Sequence, residues 1–105
     1  MSGYDPDQAN GTLVASTVTT VNLAIGSTGA GITAVRVFNR DGTAEIWWSM
    51  ADASAAAPTV GGTDLYLLPA AVSVDVIELP YPVETVEVKL ISSGTPKYCV
   101  IGDRF

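Results

Sequence analysis

The stretch AEIWWSM, residues 44–50, alternates between two sets of side chains along its length. Ile46, Trp48 and Met50 share one phase, and Trp47 falls in the other. Because successive side chains of a β-strand point to opposite faces, this period of two indicates a strand with one buried face and one exposed face. The stretch therefore predicts a half-buried strand with Trp48 in the core and Trp47 facing outward.

The same period of two recurs along the rest of the chain, and turn-forming residues separate the runs. Val, Ile and Thr fill the alternating positions and suit a pleated surface, while Gly, Pro and Asp-Gly between them form turns. The predicted strands are 12–25, 32–39, 43–50, 64–68, 72–79, 84–91 and 97–101. About seven short strands at this spacing predict an all-β fold, a small antiparallel β-sandwich that is jelly-roll-like or immunoglobulin-like.

One phase of these strands defines the expected core. Its members are Val35, Val37, Ile46, Trp48, Leu67, Val74, Val86, Val88 and Val100. Asp75 and Glu87 fall in the opposite phase, so we expect both carboxylates to face solvent. The last two runs are joined by the turn-forming loop 92–96 and predict a terminal hairpin.

The chain is predicted to contain one domain. A length of 105 residues is typical of a single domain. Residues 1–11 are polar and are expected to form an extended N-terminal arm, and residues 12–105 to form the β-sandwich. The first run, 12–25, is long enough to bend near residues 19–20. The segment 51–57 has good helix formers but is short and ends at Pro58, so it is expected to be a loop.

Composition narrows the classes of partner. Hydrophobic residues make up 48% and charged residues 15%, which argues against intrinsic disorder. A net charge of −6 argues against nucleic-acid partners, whose phosphates must be neutralised by Lys and Arg. No apolar run approaches the roughly 20 residues of a membrane span, so no membrane partner is expected. The first residues do not resemble a signal peptide, so we expect synthesis in a reducing cytosol without export.

The sequence predicts no enzyme, no cofactor and no metal site. It has no His, the commonest general base. Cys99, the single cysteine, lies in an apolar run and is expected to be a buried, unreactive thiol. The Gly-rich stretch 26–31 lacks the Lys and the helix of a phosphate loop. The acidic residues are scattered, whereas a calcium loop gathers them.

Aromatic side chains are the predicted contacts with other molecules. For the outward Trp47 three alternatives stay open: a loop covers it, it lies at a subunit interface, or it stacks on a sugar. The predicted interface residues are Tyr4, Trp47, Tyr66, Tyr81 and Phe105.

Four short motifs resemble those of a known group of proteins. They are AEIWWSM at 44–50, PTVGGTD at 58–64, LLPA at 67–70 and VKLISSGT at 88–95. The region 33–101 is similar to small β-rich virion proteins encoded in tailed phages of actinobacteria. The chain differs from that pattern by an Ala-rich insertion, residues 52–57, before Pro58.

The resemblance implies a structural function in the virion. It implies a capsid decoration protein, or minor capsid protein, that binds the outer surface of the assembled bacteriophage capsid and cements major capsid subunits. The implied partners are the major capsid protein and further copies of the chain, with a trimer as the favoured oligomer. No catalytic residues come with the family. The alternative is a tail or fibre module that binds a host cell-surface glycan through Trp47, Tyr66 or Tyr81.

Overall fold

The computed structural model describes residues 8–24, 31–51, 55–63 and 65–103, which contain eight β-strands and no helix. The strands are β1 (Gln8–Thr12), β2 (Thr19–Ala24), β3 (Ile32–Asn39), β4 (Ile46–Ala51), β5 (Tyr66–Leu68), β6 (Ser73–Val83), β7 (Thr85–Ile91) and β8 (Lys97–Asp103). The all-β prediction is confirmed, with eight strands where about seven were predicted.

The strands form two antiparallel four-stranded sheets that pack together. The first sheet has the order β1-β8-β3-β6, and the second has the order β2-β7-β4-β5. Among the described strands, β4 and β5 are the only chain neighbours that pair with each other. An immunoglobulin-like sandwich pairs its first two strands in one sheet, whereas β1 and β2 lie in different sheets here. The strand order is therefore that of a jelly roll.

The predicted first strand, 12–25, is wrong, because it contains parts of two strands in different sheets. β1 ends at Thr12 in the first sheet, and β2 begins at Thr19 in the second. Between them Leu13 is buried, and Ser16 adopts a φ of 56°. The Ser16 N–H donates to the Ser92 carbonyl at 2.8 Å. The chain therefore crosses between the two sheets through a residue in the left-handed region.

β1 also includes residues of the predicted N-terminal arm. Gln8 pairs with Ile101, and Gly11 pairs with Tyr98 on β8. A Cβ atom at Gly11 would lie 2.9 Å from the Tyr98 hydroxyl oxygen, so this position favours glycine. Residues 8–11 are thus part of the sandwich, and residues 1–7 of the predicted arm lie outside the described residues.

The predicted terminal hairpin is wrong, because β7 and β8 belong to different sheets. β7 pairs with β2 and β4, and β8 pairs with β1 and β3. The loop 92–96 carries the chain across the sandwich. The Glu45 carboxylate accepts hydrogen bonds from the Ser93 N–H at 3.1 Å and the Ser93 hydroxyl at 2.9 Å. The loop is thus attached to the β3–β4 connection.

A buried asparagine joins the connections at this end of the sandwich. Asn39 is fully buried at the end of β3. Its Nδ2 donates to the carbonyls of Ala44 at 2.8 Å and Pro69 at 2.9 Å, and its Oδ1 accepts from the Gly42 N–H at 3.0 Å. A buried amide without hydrogen-bond partners would lower the stability of the fold, so Asn39 needs all three bonds. Because its partners lie in the β3–β4 and β5–β6 connections, these bonds hold the two connections together.

The core lies between the inner faces of the two sheets, with Trp48 as its largest fully buried side chain. The core positions predicted correctly are Val35, Val37, Ile46, Trp48, Val86, Val88 and Val100. Leu67 and Val74 are wrong, because both are exposed. In β5 the register pairs Leu68 with Ile46, so Leu68 faces the core and Leu67 faces outward.

We expect Trp48→Ala to lower the free energy of unfolding by about 3–5 kcal/mol, because it removes a large ring from the centre of the core. The matched control Val14→Ala, at a side chain that is 60% exposed, should change it by less than about 0.5 kcal/mol. Urea unfolding measures both. Equal losses for the two variants would contradict the central position of Trp48.

The acid dependence of stability should contain a contribution from Glu45. Burial is the largest single influence and raises the pKa of its carboxyl, but the contributions of Ser93, the Glu45 backbone and Trp47 together outweigh burial, so the net pKa lies below its ordinary value. A lowered folded-state pKa adds stability above the ordinary Glu pKa of about 4.3, and this stability is lost as the pH falls through the folded-state pKa. Glu45→Gln should therefore flatten the pH dependence of the free energy of unfolding below about pH 5. Urea titrations across that range test this, with the exposed Glu84→Gln as the control.

Candidate functional site

β6 presents apolar side chains on the outside of the first sheet. Val74 and Val76 point outward and are 47% and 53% exposed. Ile77 and Leu79, in the opposite phase, pack against the core. The predicted phase of β6, with Val74 buried and Asp75 in solvent, is therefore wrong. Both phases of this strand contain apolar residues, so alternation alone does not determine which face is buried.

Asp75 lies in the inward phase of β6, where it is a partner for the buried tryptophan. The Trp48 Nε1 donates to the Asp75 Oδ2 at 3.3 Å. Because Trp48 has no exposed surface, its indole N–H needs an acceptor within the protein. The Tyr66 ring packs on Trp48 with ring centroids 4.5 Å apart. Asp75 therefore accepts the hydrogen bond of a core tryptophan, and the valines on either side of it in the strand face outward.

The exposed valines of β6 continue into a larger apolar surface on the first sheet. The register forms two rows across β6, β3 and β8, which are Val74, Phe38 and Cys99, and then Val76, Arg36 and Ile101. Phe38 and Ile101 are half-buried, and Cys99 is buried. We define the outer apolar face as Phe38, Val74, Val76, Cys99 and Ile101.

The charged residue within this surface, Arg36, is paired. Its Nε and Nη2 donate to the two carboxylate oxygens of Asp103 at 2.8 and 2.9 Å. The guanidinium carbon lies 5.7 Å from the centroid of the Phe38 ring, within the range of a cation–π contact. The two-bond pairing fixes the orientation of the guanidinium group. Arg36 therefore adds no unpaired charge to the outer apolar face.

Cys99 lies in this face but is buried and free. Burial raises the pKa of its thiol, partly opposed by the charges of Arg40 and Arg36. A raised pKa lowers the fraction of the nucleophilic thiolate at neutral pH. The prediction that Cys99 is buried is confirmed, and its environment disfavours reactivity.

Trp47 lies on the outside of the second sheet, as its phase predicts, and is half-buried. On the same face the Ser49 hydroxyl donates to the Ala56 carbonyl at 2.6 Å, and the Ala55 N–H donates to the Glu87 carboxylate at 2.8 Å. Ala55 and Ala56 therefore lie over this sheet. Of the three alternatives for Trp47, this geometry favours cover by a loop of its own chain.

The indole N–H of Trp47 is the one buried side-chain polar group of the described residues without a hydrogen bond of ordinary geometry. It lies near enough to Glu45 to contribute, after Ser93, to lowering the pKa of that carboxyl.

The structure does not bring the predicted interface residues together. Tyr66 is 39% exposed beside Trp48 at the edge of the second sheet, and Tyr81 is 61% exposed near the end of β6 in the first sheet. Trp47 is on the outside of the second sheet. Tyr4 and Phe105 lie outside the described residues. The larger exposed surface is the outer apolar face, which consists mainly of aliphatic residues, and one of them, Val74, is predicted by the sequence to be in the core.

The described ranges hold neither a group of metal ligands nor a helix that could span a membrane. No three His, Cys, Asp or Glu side chains there are close enough together to hold a metal ion. None of those ranges forms a helix of the length and hydropathy needed to cross a membrane.

Comparison with known proteins gives a likeness of fold. No protein-family model and no curated protein matches the sequence. A solved structure described as the crystal structure of PirA superposes with a TM-score of 0.57 at 14% identity, covering 97% of each chain. A family two carbohydrate esterase from Cellvibrio japonicus gives a TM-score of 0.35 at 15% identity, covering 93% of this chain and 35% of that one. The first likeness shows a shared fold alone, and the second is too weak for any inference.

The phase of β6 can be tested with two substitutions. We expect Ile77→Ser to lower the free energy of unfolding by about 2–3 kcal/mol, because it removes apolar contacts with the core. Val74→Ser, on the exposed phase, should cost less than about 1 kcal/mol. Urea unfolding measures both variants. The reverse order would mean that Val74 is buried.

Proposed function

We propose that the chain is a non-enzymatic structural protein of a phage virion. In this proposal it is a capsid decoration protein that binds the outside of the assembled capsid and cements neighbouring major capsid subunits. The observation that carries the proposal is the outer apolar face on the first sheet. The resemblance of residues 33–101 to small phage virion proteins supplies the identity of the partner.

The outer apolar face has the character of a contact surface. Soluble monomers rarely leave large contiguous apolar patches in water, and such patches mark sites of interaction. Here exposed Val74 and Val76 adjoin half-buried Phe38 and Ile101 in consecutive rows of a rigid sheet. Burial of this face against another protein would remove the unfavourable contact of these side chains with water.

The charge of the chain suits the outside of a capsid. A net charge of −6 would be repelled by packaged DNA on the inside. The outer apolar face itself contains the neutralised Arg36–Asp103 pair. Binding through this face should therefore depend mainly on apolar burial and persist in salt that screens surface charges. Each bound copy that bridges two subunits adds a contact that must break before the capsid opens.

The second candidate function is a tail or fibre module that binds a host cell-surface glycan. The observation that favours it is the exposed area of Tyr66, whose ring is held in place by Trp48, together with the exposed Tyr81. Aromatic faces of this kind stack on sugar rings. Jelly rolls occur in both capsid and lectin domains, so the fold supports either candidate.

The test is to add the purified protein to particles that lack it and to measure binding and heat resistance. We expect saturation at a stoichiometry set by capsid symmetry, together with raised heat resistance. Ile101→Lys should weaken binding by at least about tenfold, because it places a charge in the buried contact. Val14→Lys, at an exposed position away from this face, should bind like the unchanged chain. Thermal melts establish that both variants are folded.

Binding to a host cell-wall glycan, or localisation at the tail without capsid binding, would overturn this proposal and support the glycan-binding module. Equal weakening by Ile101→Lys and Val14→Lys would show that the outer apolar face is not the contact.

A further inference from the structure

The two sheets have four edge strands, which are β1, β6, β2 and β5. Edge strands present backbone N–H and C=O groups that no neighbouring strand pairs. β1 and β2 are short and expose polar side chains such as Asn10 and Asn22, and β5 has three residues. β6 has eleven residues and exposes Val74 and Val76. Among the described strands, β6 therefore forms the long apolar edge.

The regular part of this edge lies before its prolines. β6 pairs with β3 without interruption from Ser73 to Glu78, and the register shifts after Glu78. Pro80 and Pro82, in the irregular part, have no N–H to donate. The segment from Ser73 to Glu78 is thus the part of the edge that can accept another strand.

We infer that this segment pairs with the same segment of a second copy of the chain, antiparallel about a two-fold axis at Val76. The pairing joins the two first sheets into one continuous sheet of eight strands. An isologous contact of this kind closes as a dimer. The inference does not depend on the proposed function.

Charge and register select the position of the axis. Facing residues of antiparallel strands share a face, so the axis must pass through a residue of β6. An axis at Asp75 sets the carboxylates of the two copies opposite each other, which is unfavourable. An axis at Val76 sets valine opposite valine, Asp75 opposite Ile77 and Val74 opposite Glu78. No like charges then face each other.

The neighbouring axes give shorter pairing. An axis at Val74 requires residues before Ser73, where the strand has not begun. An axis at Ile77 sets Val74 opposite Pro80, which lies in the irregular part. The axis at Val76 alone keeps Val74 to Glu78 within the regular part. Pairs of β-branched residues across strands are favourable, so valine facing valine at the centre adds to the backbone hydrogen bonds.

This register makes the segment compatible with a second copy of itself as the partner. Each acidic residue of the segment faces an apolar residue of the copy, and Asp75 already accepts a hydrogen bond from Trp48. The outer apolar faces of the two copies meet along Val76 and become one surface of twice the area. Ile101 lies two strands away from the edge, so its substitution does not touch the pairing.

Sedimentation velocity at increasing concentration tests the inference. We expect the unchanged chain to form dimers at concentrations of about tens of micromolar. Val76→Lys should lower dimer affinity at least about tenfold, because two ammonium groups would face each other. Val14→Lys and Ile101→Lys should leave the dimer unchanged. Thermal melts show whether the variants are folded.

Cross-linking gives a second measurement that does not need a destabilising change. Val76→Cys should form a disulfide-linked dimer on mild oxidation, because residues opposite each other have nearby Cβ atoms. Val60→Cys, also exposed but in the loop before β5, should not. A monomer at about 100 µM, the trimer that the resemblance favoured, or equal dissociation by Val76→Lys and Val14→Lys would overturn the inference.

Discussion

A β-strand can turn only one of its two faces toward a core, and the surface of this protein depends on how β6 meets that constraint. Ile77 and Leu79 pack inward, and Asp75, in the same phase, accepts the indole N–H of the buried Trp48. Once these contacts are made, Val74 and Val76 must point to solvent. Val74 and Val76 are therefore exposed because the opposite face of β6 packs against the core and accepts the hydrogen bond of Trp48.

The jelly-roll order then assembles the surface from distant parts of the chain. The C-terminal strand β8 lies between β1 and β3, and β3 lies between β8 and β6. This order places Phe38, Val74 and Cys99 in one row although they are far apart in sequence. The cross-sandwich connections are secured by polar side chains, above all the fully bonded Asn39. The outer apolar face is thus formed by long-range strand pairing.

These features favour a protein that acts by covering another surface. The Arg36–Asp103 pair neutralises the guanidinium group within the outer apolar face, and the burial of Cys99 disfavours thiol reactivity. An apolar face and a pairing-competent edge on the same strand allow two different contacts at once, one through side chains and one through the backbone. A dimer across the β6 edge would enlarge the face available to a capsid.

The sequence alone determined the fold class and several individual environments. Alternation identified the strands and placed Trp48 in the core and Trp47 outside, and the apolar context of Cys99 predicted its burial. Tertiary structure decided the rest. A period of two does not tell which sheet a strand joins, so the pattern wrongly predicts one strand over 12–25 and a hairpin of β7 and β8. In β6 both phases are apolar, and only packing against Trp48 decided which was buried. The outer apolar face could not be predicted because it consists of residues that become neighbours only through long-range strand pairing.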